Sequence, residues 1–112
     1  MTAVEGIALA RGSLHMSREV YERYFPGVEA VALLRQSDDL LILPVRHAAA
    51  GGYILKHRNV AGDRVVNASD FFRAQGIEDN VQRPLAISWQ VELSALCAMN
   101  AFFCFSIELP SR

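Results

Sequence analysis

The sequence predicts an α+β domain in which two strand–helix–hairpin units close a small β-rich barrel. Short apolar segments separated by turn residues recur in nearly the same order in two parts of the chain. One later segment alternates between apolar and polar residues, as a half-buried strand does. With 112 residues, of which 52% are hydrophobic, the chain is long enough for one core and too apolar for intrinsic disorder. We therefore expect residues 1–112 to form a single domain.

The first unit is predicted over residues 12–45. A short apolar strand over 14–16 is followed by Ser17, whose side-chain oxygen can cap a helix by accepting a hydrogen bond from a free backbone N–H. Pro26 ends this helix, because proline cannot continue the helical hydrogen bonds. Two apolar segments on either side of a polar turn at 37–39 are typical of a β-hairpin.

The second unit is predicted over residues 62–93 in a similar order. A strand over 64–66 leads to Asn67, which can cap a second helix, and Gly76 can end that helix in a left-handed conformation. The segment 87–94 then alternates strictly between apolar and polar residues, which is the clearest strand pattern in the chain. We predict that the two units are an internal repeat, although strand–helix–strand units also recur by chance in α+β proteins.

An apolar segment without a clear period, 95–109, follows the second unit. A buried helix followed by a strand, or one long buried element, would both fit this segment, and the sequence leaves the choice open. The segment either fills the core of this domain or offers an apolar patch to a partner. Core filling is the expectation, because large apolar side chains are mostly buried in folded proteins.

The sequence contains no pattern typical of a metal or cofactor site. Cys97 and Cys104 lie among apolar neighbours, which predicts buried, reduced thiols. A zinc site would need several nitrogen or sulfur ligands at short spacing, which the sequence does not offer. It also lacks a phosphate-binding glycine loop, a dinucleotide fingerprint and a nucleophile elbow. We predict no metal, no cofactor and a function that is not enzymatic.

One pair of residues keeps an enzymatic alternative open. If the segments 40–47 and 52–58 form a hairpin, His47 and His57 would lie close together and could act as acid and base beside a carboxylate. Two exposed histidines on a hairpin would give the same pattern without any chemistry. The sequence favours the exposed pair.

The cellular location is predicted from the length of the apolar segments and from the composition of the first residues. The longest of them is shorter than the roughly 20 residues that a membrane-spanning helix requires. The first residues have neither the basic start nor the apolar stretch of a signal peptide. We expect a cytoplasmic protein that does not enter a membrane.

The net charge of -1 conceals an uneven distribution. Positive charge is concentrated in the centre of the chain, where one acid, Asp63, accompanies Arg46, Lys56, Arg58 and Arg64. Because side chains alternate along a strand, a strand over 52–58 would place Lys56 and Arg58 on one face. Basic side chains of this kind supply most of the affinity of proteins for DNA. A solvated surface without a ligand is the alternative interpretation.

Residues 64–77 resemble the core pattern of the AbrB, SpoVT and MraZ proteins. That pattern is a Gly-Arg turn, a short apolar strand, a proline at the helix start, an arginine in the helix and Gly-Ile at its end. Arg64, Arg73 and Gly76-Ile77 match it without a gap, whereas Ala68 stands in place of the proline and Asp63 separates the glycine from the arginine. The first unit resembles the pattern more loosely, and MraZ is itself a tandem of two such units.

The resemblance implies a swapped-hairpin β-barrel that forms dimers or rings and binds DNA through basic residues near the barrel strands. Together with the charge distribution, it predicts a nucleic-acid-binding, homo-oligomeric regulator of transcription. The expected contact residues are Arg46, Lys56, Arg58, Arg64 and Arg73. The alternatives are a protein-interaction module, which dimerises through a strand edge or the apolar segment 95–109, and a small His-dependent enzyme or ligand-binding protein.

Overall fold

The computed structural model describes residues 6–46 and 52–102, which form a small, strand-rich, nearly closed barrel with two helices. The α+β barrel class predicted from the sequence is confirmed. The elements in chain order are β1 (Ile7–Ala10), β2 (Ser13–Met16), α1 (Arg18–Tyr24), β3 (Ala30–Gln36), β4 (Asp39–Val45), β5 (Tyr53–Ile54), β6 (Lys56–His57), β7 (Arg64–Asn67), α2 (Ser69–Ala74), β8 (Gln82–Gln90), a 3-10 turn (Val91–Leu93) and β9 (Ala95–Met99).

The strands form one antiparallel sheet in the order β5-β3-β4-β9-β8-β1-β2-β7-β6. The two ends of this sheet, β5 and β6, are separated in the chain by a single residue, Leu55. β5 pairs with β3 and β6 pairs with β7, so the segment 53–57 joins both ends of the sheet. This segment, which we call the closing strand, curls the sheet into a barrel.

Both halves of the barrel follow the same order: a first strand, a second strand, a helix and a strand pair. In each half, the first strand pairs with the second strand of its own half and with the third strand of the other half. Thus β1 pairs with β2 and β8, while the closing strand pairs with β7 and β3. The pairing does not test whether residues 12–45 and 62–93 are a duplication, so the internal repeat stays a prediction.

The barrel interior is filled by alternate residues of the strands. Leu14 and Val66, which face each other across β2 and β7, are completely buried, as is Ile42 on β4. The helices complete the core from outside the sheet, since Phe25 follows α1 and Phe72 lies within α2, and both side chains are buried. Alternation of this kind places the intervening residues on the outer surface.

The structure decides the conformation of the segment after 94. Residues Ala95–Met99 form a strand, β9, that inserts between β4 and β8, and its first four residues are buried. Phe102, beyond the strand, packs in the core as well. Residues 95–98 and 101–102 are therefore part of the core, whereas Met99 and Asn100 are exposed, and Cys97 is buried and free. Cys104 and the rest of the predicted segment, up to 109, lie outside the described residues.

The two helices begin differently. The predicted cap of α1 is confirmed, because Ser17 Oγ accepts a hydrogen bond of 3.2 Å from the Val20 N–H. The predicted cap of α2 is wrong, because that helix begins after Ala68 without a side-chain cap. Asn67 is the last residue of β7, and its Oδ1 accepts a hydrogen bond of 2.8 Å from Ser13 Oγ across the strand pair.

The strands around the second helix also depart from the sequence pattern. β8 begins at Gln82 and ends at Gln90, so the alternating segment 87–94 runs past the end of the strand. Ser94, in a left-handed conformation with φ 49°, turns the chain back into β9. The sequence analysis did not identify β1, whose four residues become a strand because β2 and β8 supply hydrogen bonds on both sides.

The turn between β1 and β2 packs tightly against the start of α2. Gly12 has φ +75°, and a Cβ atom at this position would lie 2.6 Å from Ser69 Cβ. Its carbonyl oxygen accepts a hydrogen bond of 3.1 Å from the Ala68 N–H. Gly27 has almost the same dihedral, φ +76°, but no atom lies within 4 Å of a Cβ built on it.

This contrast makes a matched pair of substitutions. Gly27→Ala should lower the free energy of unfolding by about 1–2 kcal/mol, which is the steric cost of a left-handed alanine. Gly12→Ala should lower it by about 1–3 kcal/mol more, because the new methyl group overlaps α2. Urea unfolding followed by the fluorescence of Trp89, the single tryptophan, measures both. Equal losses in the two variants would show that the close packing at Gly12 is absent.

Candidate nucleic-acid interface

The closing strand presents two of the predicted contact residues on the outer surface of the barrel. Leu55 is buried in the core, so its neighbour Lys56 points outward and is exposed. Arg58 follows two residues later, is exposed, and stays in register because its N–H donates to the Asp63 carbonyl oxygen at 2.8 Å. Residues two apart on a strand are separated by about 6.6 Å. Lys56 and Arg58 thus form an adjacent pair of cations.

A lateral row of side chains connects this pair to β2. Lys56 lies opposite Val65 on β7, and Val65 lies opposite His15 on β2. The row continues to Ala8 on β1. The outward side chains of neighbouring strands in such a row share one face of the sheet.

Beside this row the surface contains a shallow trough of about 220 Å³. Gly6 and Ala8, both with little or no side chain, leave room above β1. The polar residues that border the trough are His15, Ser17, Arg58 and Asp63. An open trough of this size admits a small polar group rather than a large apolar ligand.

His15 lies between positive charges. Its burial, together with the charges of Arg58 and Arg11, holds the pKa of His15 below its ordinary value. His15 Nδ1 is buried and has no hydrogen-bond partner among the described residues. Arg11, in the turn that follows β1, is thus close enough to His15 to affect its pKa, as Arg58 is. We refer to Arg11, His15, Lys56 and Arg58 as the basic face.

The acid in the trough is held by local hydrogen bonds. Asp63 accepts a bond of 3.1 Å from Asn59 Nδ2 and one of 2.9 Å from the Arg18 backbone N–H. The Asn59 side chain, the Arg18 N–H and the Arg58 charge lower the pKa of Asp63. The carboxylate is thus ionised, and it ties the loop before β7 to the start of α1.

The Arg64 side chain is held by contacts within the protein. Its guanidinium lies over the Tyr21 ring of α1, with Cζ 4.0 Å from the ring centroid. Nη1 donates to the Gly62 carbonyl oxygen at 2.6 Å and lies 3.3 Å from His57 Nδ1. A stacked and hydrogen-bonded arginine of this kind fixes the end of the barrel to the helix.

The remaining two predicted contact residues, Arg46 and Arg73, do not line the trough. Arg46 follows β4 and lines a second pocket of about 370 Å³ together with Glu29 and Ile54. Arg73 lies in α2, beyond the end of β7 opposite Arg64, and its Nη2 is 3.3 Å from Asp79 Oδ2. The basic face therefore comprises Lys56 and Arg58 together with His15 and Arg11, which the sequence analysis did not select.

A signal for His15 was present in the sequence. It lies between Leu14 and Met16, and alternation with two apolar neighbours predicts an outward side chain on a strand. The sequence does not indicate that β2 pairs with β7, because the two strands are far apart in the chain. Arg11 could be identified only from the turn geometry.

The hairpin on which the proposed histidine pair depends is not formed among the described strands. The hairpin of 40–47 with 52–58 is wrong, because β4 pairs with β3 and β9, and β5 pairs with β3. His47 lies outside the described residues. His57 is exposed and lies opposite Arg64 in the ladder between β6 and β7.

The described part of the chain contains no helix long and apolar enough to cross a membrane. Within residues 6–46 and 52–102, no group of three or more His, Cys, Asp or Glu side chains is arranged to hold a metal ion. Comparison with protein-family models, curated proteins and solved structures finds no match for the chain.

The environment of His15 predicts a dependence of stability on pH. Because its pKa is lowered in the folded protein, the unfolded chain binds a proton first as the pH falls below about 6.5. The free energy of unfolding should then decrease, by at most about 1.4 kcal/mol per pH unit for one proton. His15→Gln should flatten this slope between about pH 7 and pH 5.5, and the exposed His57→Gln control should keep it. Identical slopes in the wild type and His15→Gln, measured by urea unfolding, would contradict the prediction.

Proposed function

We propose that the chain is a non-enzymatic, homo-oligomeric regulator that binds nucleic acid through its basic face. The observation that carries the proposal is the outward pair Lys56 and Arg58 on the closing strand, beside a trough bordered by His15. Phosphate contacts from such side chains give sequence-independent affinity for nucleic acid. The proposed place of action is the cytoplasm.

The local charge balance supports this surface as an anion site. Asp63 is the acid that borders the trough, and both its oxygens accept hydrogen bonds within the protein. The nearby Glu22 carboxylate is paired with Arg18 at 3.1 Å on α1. The charges of Lys56 and Arg58 have no ion pair shorter than 4 Å among the described residues. They are therefore available to an external phosphate.

The pairing of the strands is a second line of support. The resemblance to the AbrB, SpoVT and MraZ proteins implies a barrel in which hairpins are exchanged between two units. The reciprocal pairing of β1 with β8 and of the closing strand with β3 is compatible with an exchange of that kind within one chain. On this proposal, Arg64 braces the site through Tyr21, while Arg46 and Arg73 contribute at longer range.

Oligomerisation follows from the small number of charges. A single basic face makes about two or three phosphate contacts, which is weak at physiological salt. Two or more faces on one duplex bind with much higher avidity, because the second contact is intramolecular. A dimer or ring is thus part of the proposal.

Binding to duplex DNA of random sequence tests the proposal. We expect log K to fall linearly with log salt, with a slope of about -2.7 for three contacts per chain. Lys56→Gln and Arg58→Gln should each make the slope shallower by about 0.9 and weaken binding to all sequences alike. Arg23→Gln, which removes an exposed arginine over Tyr24 on α1, is the control. No binding at about 50 mM salt, or equal slopes in all variants, would overturn the proposal.

A second candidate function, a protein-interaction module, is favoured by the opposite outer surface. Leu34, 51% exposed, lies opposite Leu41, which lies opposite Cys97 on β9. Met99, 38% exposed, follows on the same face of β9. Leu41 and Cys97 are themselves buried, so Leu34 and Met99 are the exposed apolar residues here, and a second copy of the chain is the partner we assign to them.

Light scattering over a range of protein concentrations tests this surface. The wild type should form dimers or larger oligomers, and Leu34→Glu should weaken association at least tenfold by introducing a charge into the contact. Gln82→Glu adds the same charge on the outward face of β8 and should leave the association unchanged. A wild-type protein that stays monomeric throughout would exclude both the apolar contact and the oligomeric regulator.

A further inference from the structure

The trough beside β2 combines three features that a general basic surface does not have. It has space above Gly6 and Ala8, a cation on one side in Arg58, and an imidazole on its floor in His15. The buried Nδ1 of His15 has no hydrogen-bond partner among the described residues. When the ring is protonated, both of its nitrogens carry hydrogens, so the nitrogen that an incoming group can reach is a donor.

We propose that this trough binds one phosphodiester group of a nucleic acid between Arg58 and His15, and that His15 takes up a proton when the group binds. The inference rests on the proposed function, because it names the chemical group that the basic face receives and the residue that responds. Arg58 supplies a guanidinium, whose donors match the geometry of a phosphate.

The groups that face His15 determine the direction of this coupling. Arg11 approaches from the turn after β1, Arg58 from the end of the closing strand, and Lys56 lies beyond Val65 in the lateral row. Asp63 borders the same trough, and Arg18 and Glu22 at the start of α1 neutralise each other. β1 contributes the uncharged Gly6 and Ala8. Cations thus dominate the surroundings of His15.

In the free protein the burial of His15 and the charges of Arg58 and Arg11 oppose its protonation, which lowers its pKa. A bound phosphodiester places a negative charge among the same groups and accepts a hydrogen bond from the protonated ring. Binding therefore raises the pKa of His15. By linkage, the affinity for the phosphodiester must increase as the pH falls between the bound and free pKa values.

The probe is a short oligothymidylate without terminal phosphates, because neither thymine nor a phosphodiester titrates between about pH 5.5 and pH 7.5. We expect the wild type to bind it about three- to tenfold more tightly at pH 5.5 than at pH 7.5; one proton allows at most tenfold per pH unit. His15→Gln should vary less than about twofold over this range and should match the wild type at pH 7.5. Arg58→Gln should bind weakly at both pH values, and His57→Gln should retain the full dependence.

A measurement on the wild type keeps the test valid if a variant does not fold. The midpoint of the His15 ring-proton NMR titration should move to higher pH when the oligothymidylate is saturating. An unmoved midpoint, or the same pH dependence in His15→Gln, would overturn the inference. If duplex DNA binds with the expected salt slope while the midpoint is unmoved, this inference fails and the proposed function stands.

A second ligand, inorganic sulfate, distinguishes the source of the anion. Sulfate does not titrate in this range and tests the trough for free anions. If sulfate moves the His15 midpoint and the oligothymidylate does not, the trough takes free oxyanions and this inference is wrong, while the duplex measurement still decides the proposed function. Movement by the oligothymidylate, with or without sulfate, supports the inference.

Discussion

The closing strand pairs with β3 on one side and with β7 on the other, and the remaining structure depends on this double pairing. The Leu55 N–H donates to the Glu29 carbonyl oxygen at 2.8 Å, and the Leu55 side chain packs in the core. Loss of these contacts would open the sheet along a line between β3 and β7. It would also release Lys56 and Arg58, whose outward direction is set by the burial of Leu55. The pairing that closes the barrel thus also places Lys56 beside β7.

The basic face shows how a chain with a net charge of -1 can present a positive surface. The acids near it are occupied, Asp63 by Asn59 and the Arg18 N–H, and Glu22 by the Arg18 side chain. Its cations reach outward from separate elements that meet only in the folded barrel. The electrostatic potential at a surface depends on the charges placed near it. Charges farther away than the Debye length, about 8 Å at physiological salt, are largely screened, so the net charge of the chain has little influence there.

Much of the local structure could be predicted because it depends on near neighbours. Ser17 begins α1, the hairpin of β3 and β4 forms around its polar turn, and the class of fold follows from the periods of the apolar residues. The failures lie where distant residues decide. Asn67 bonds Ser13 instead of capping α2, and β5 pairs with β3 instead of β4. For the candidate site, the basic stretch of the chain identified Lys56 and Arg58. His15 and Arg11 join them only through pairs between strands that lie far apart in the chain.

The reciprocal pairing of the two halves has a consequence for the rate of folding. β1, near the start of the chain, pairs with β8, near its end. The first strand of each half thus has one of its two partners in the other half. A topology dominated by such distant pairs must pay the entropy of closing long loops before the contacts stabilise it, and comparable β-proteins fold in roughly milliseconds to seconds. Before β1 has paired with β8 of its own chain, two partly folded chains can form the same strand pairs by exchanging halves. A higher protein concentration during folding would therefore favour intertwined dimers over single barrels.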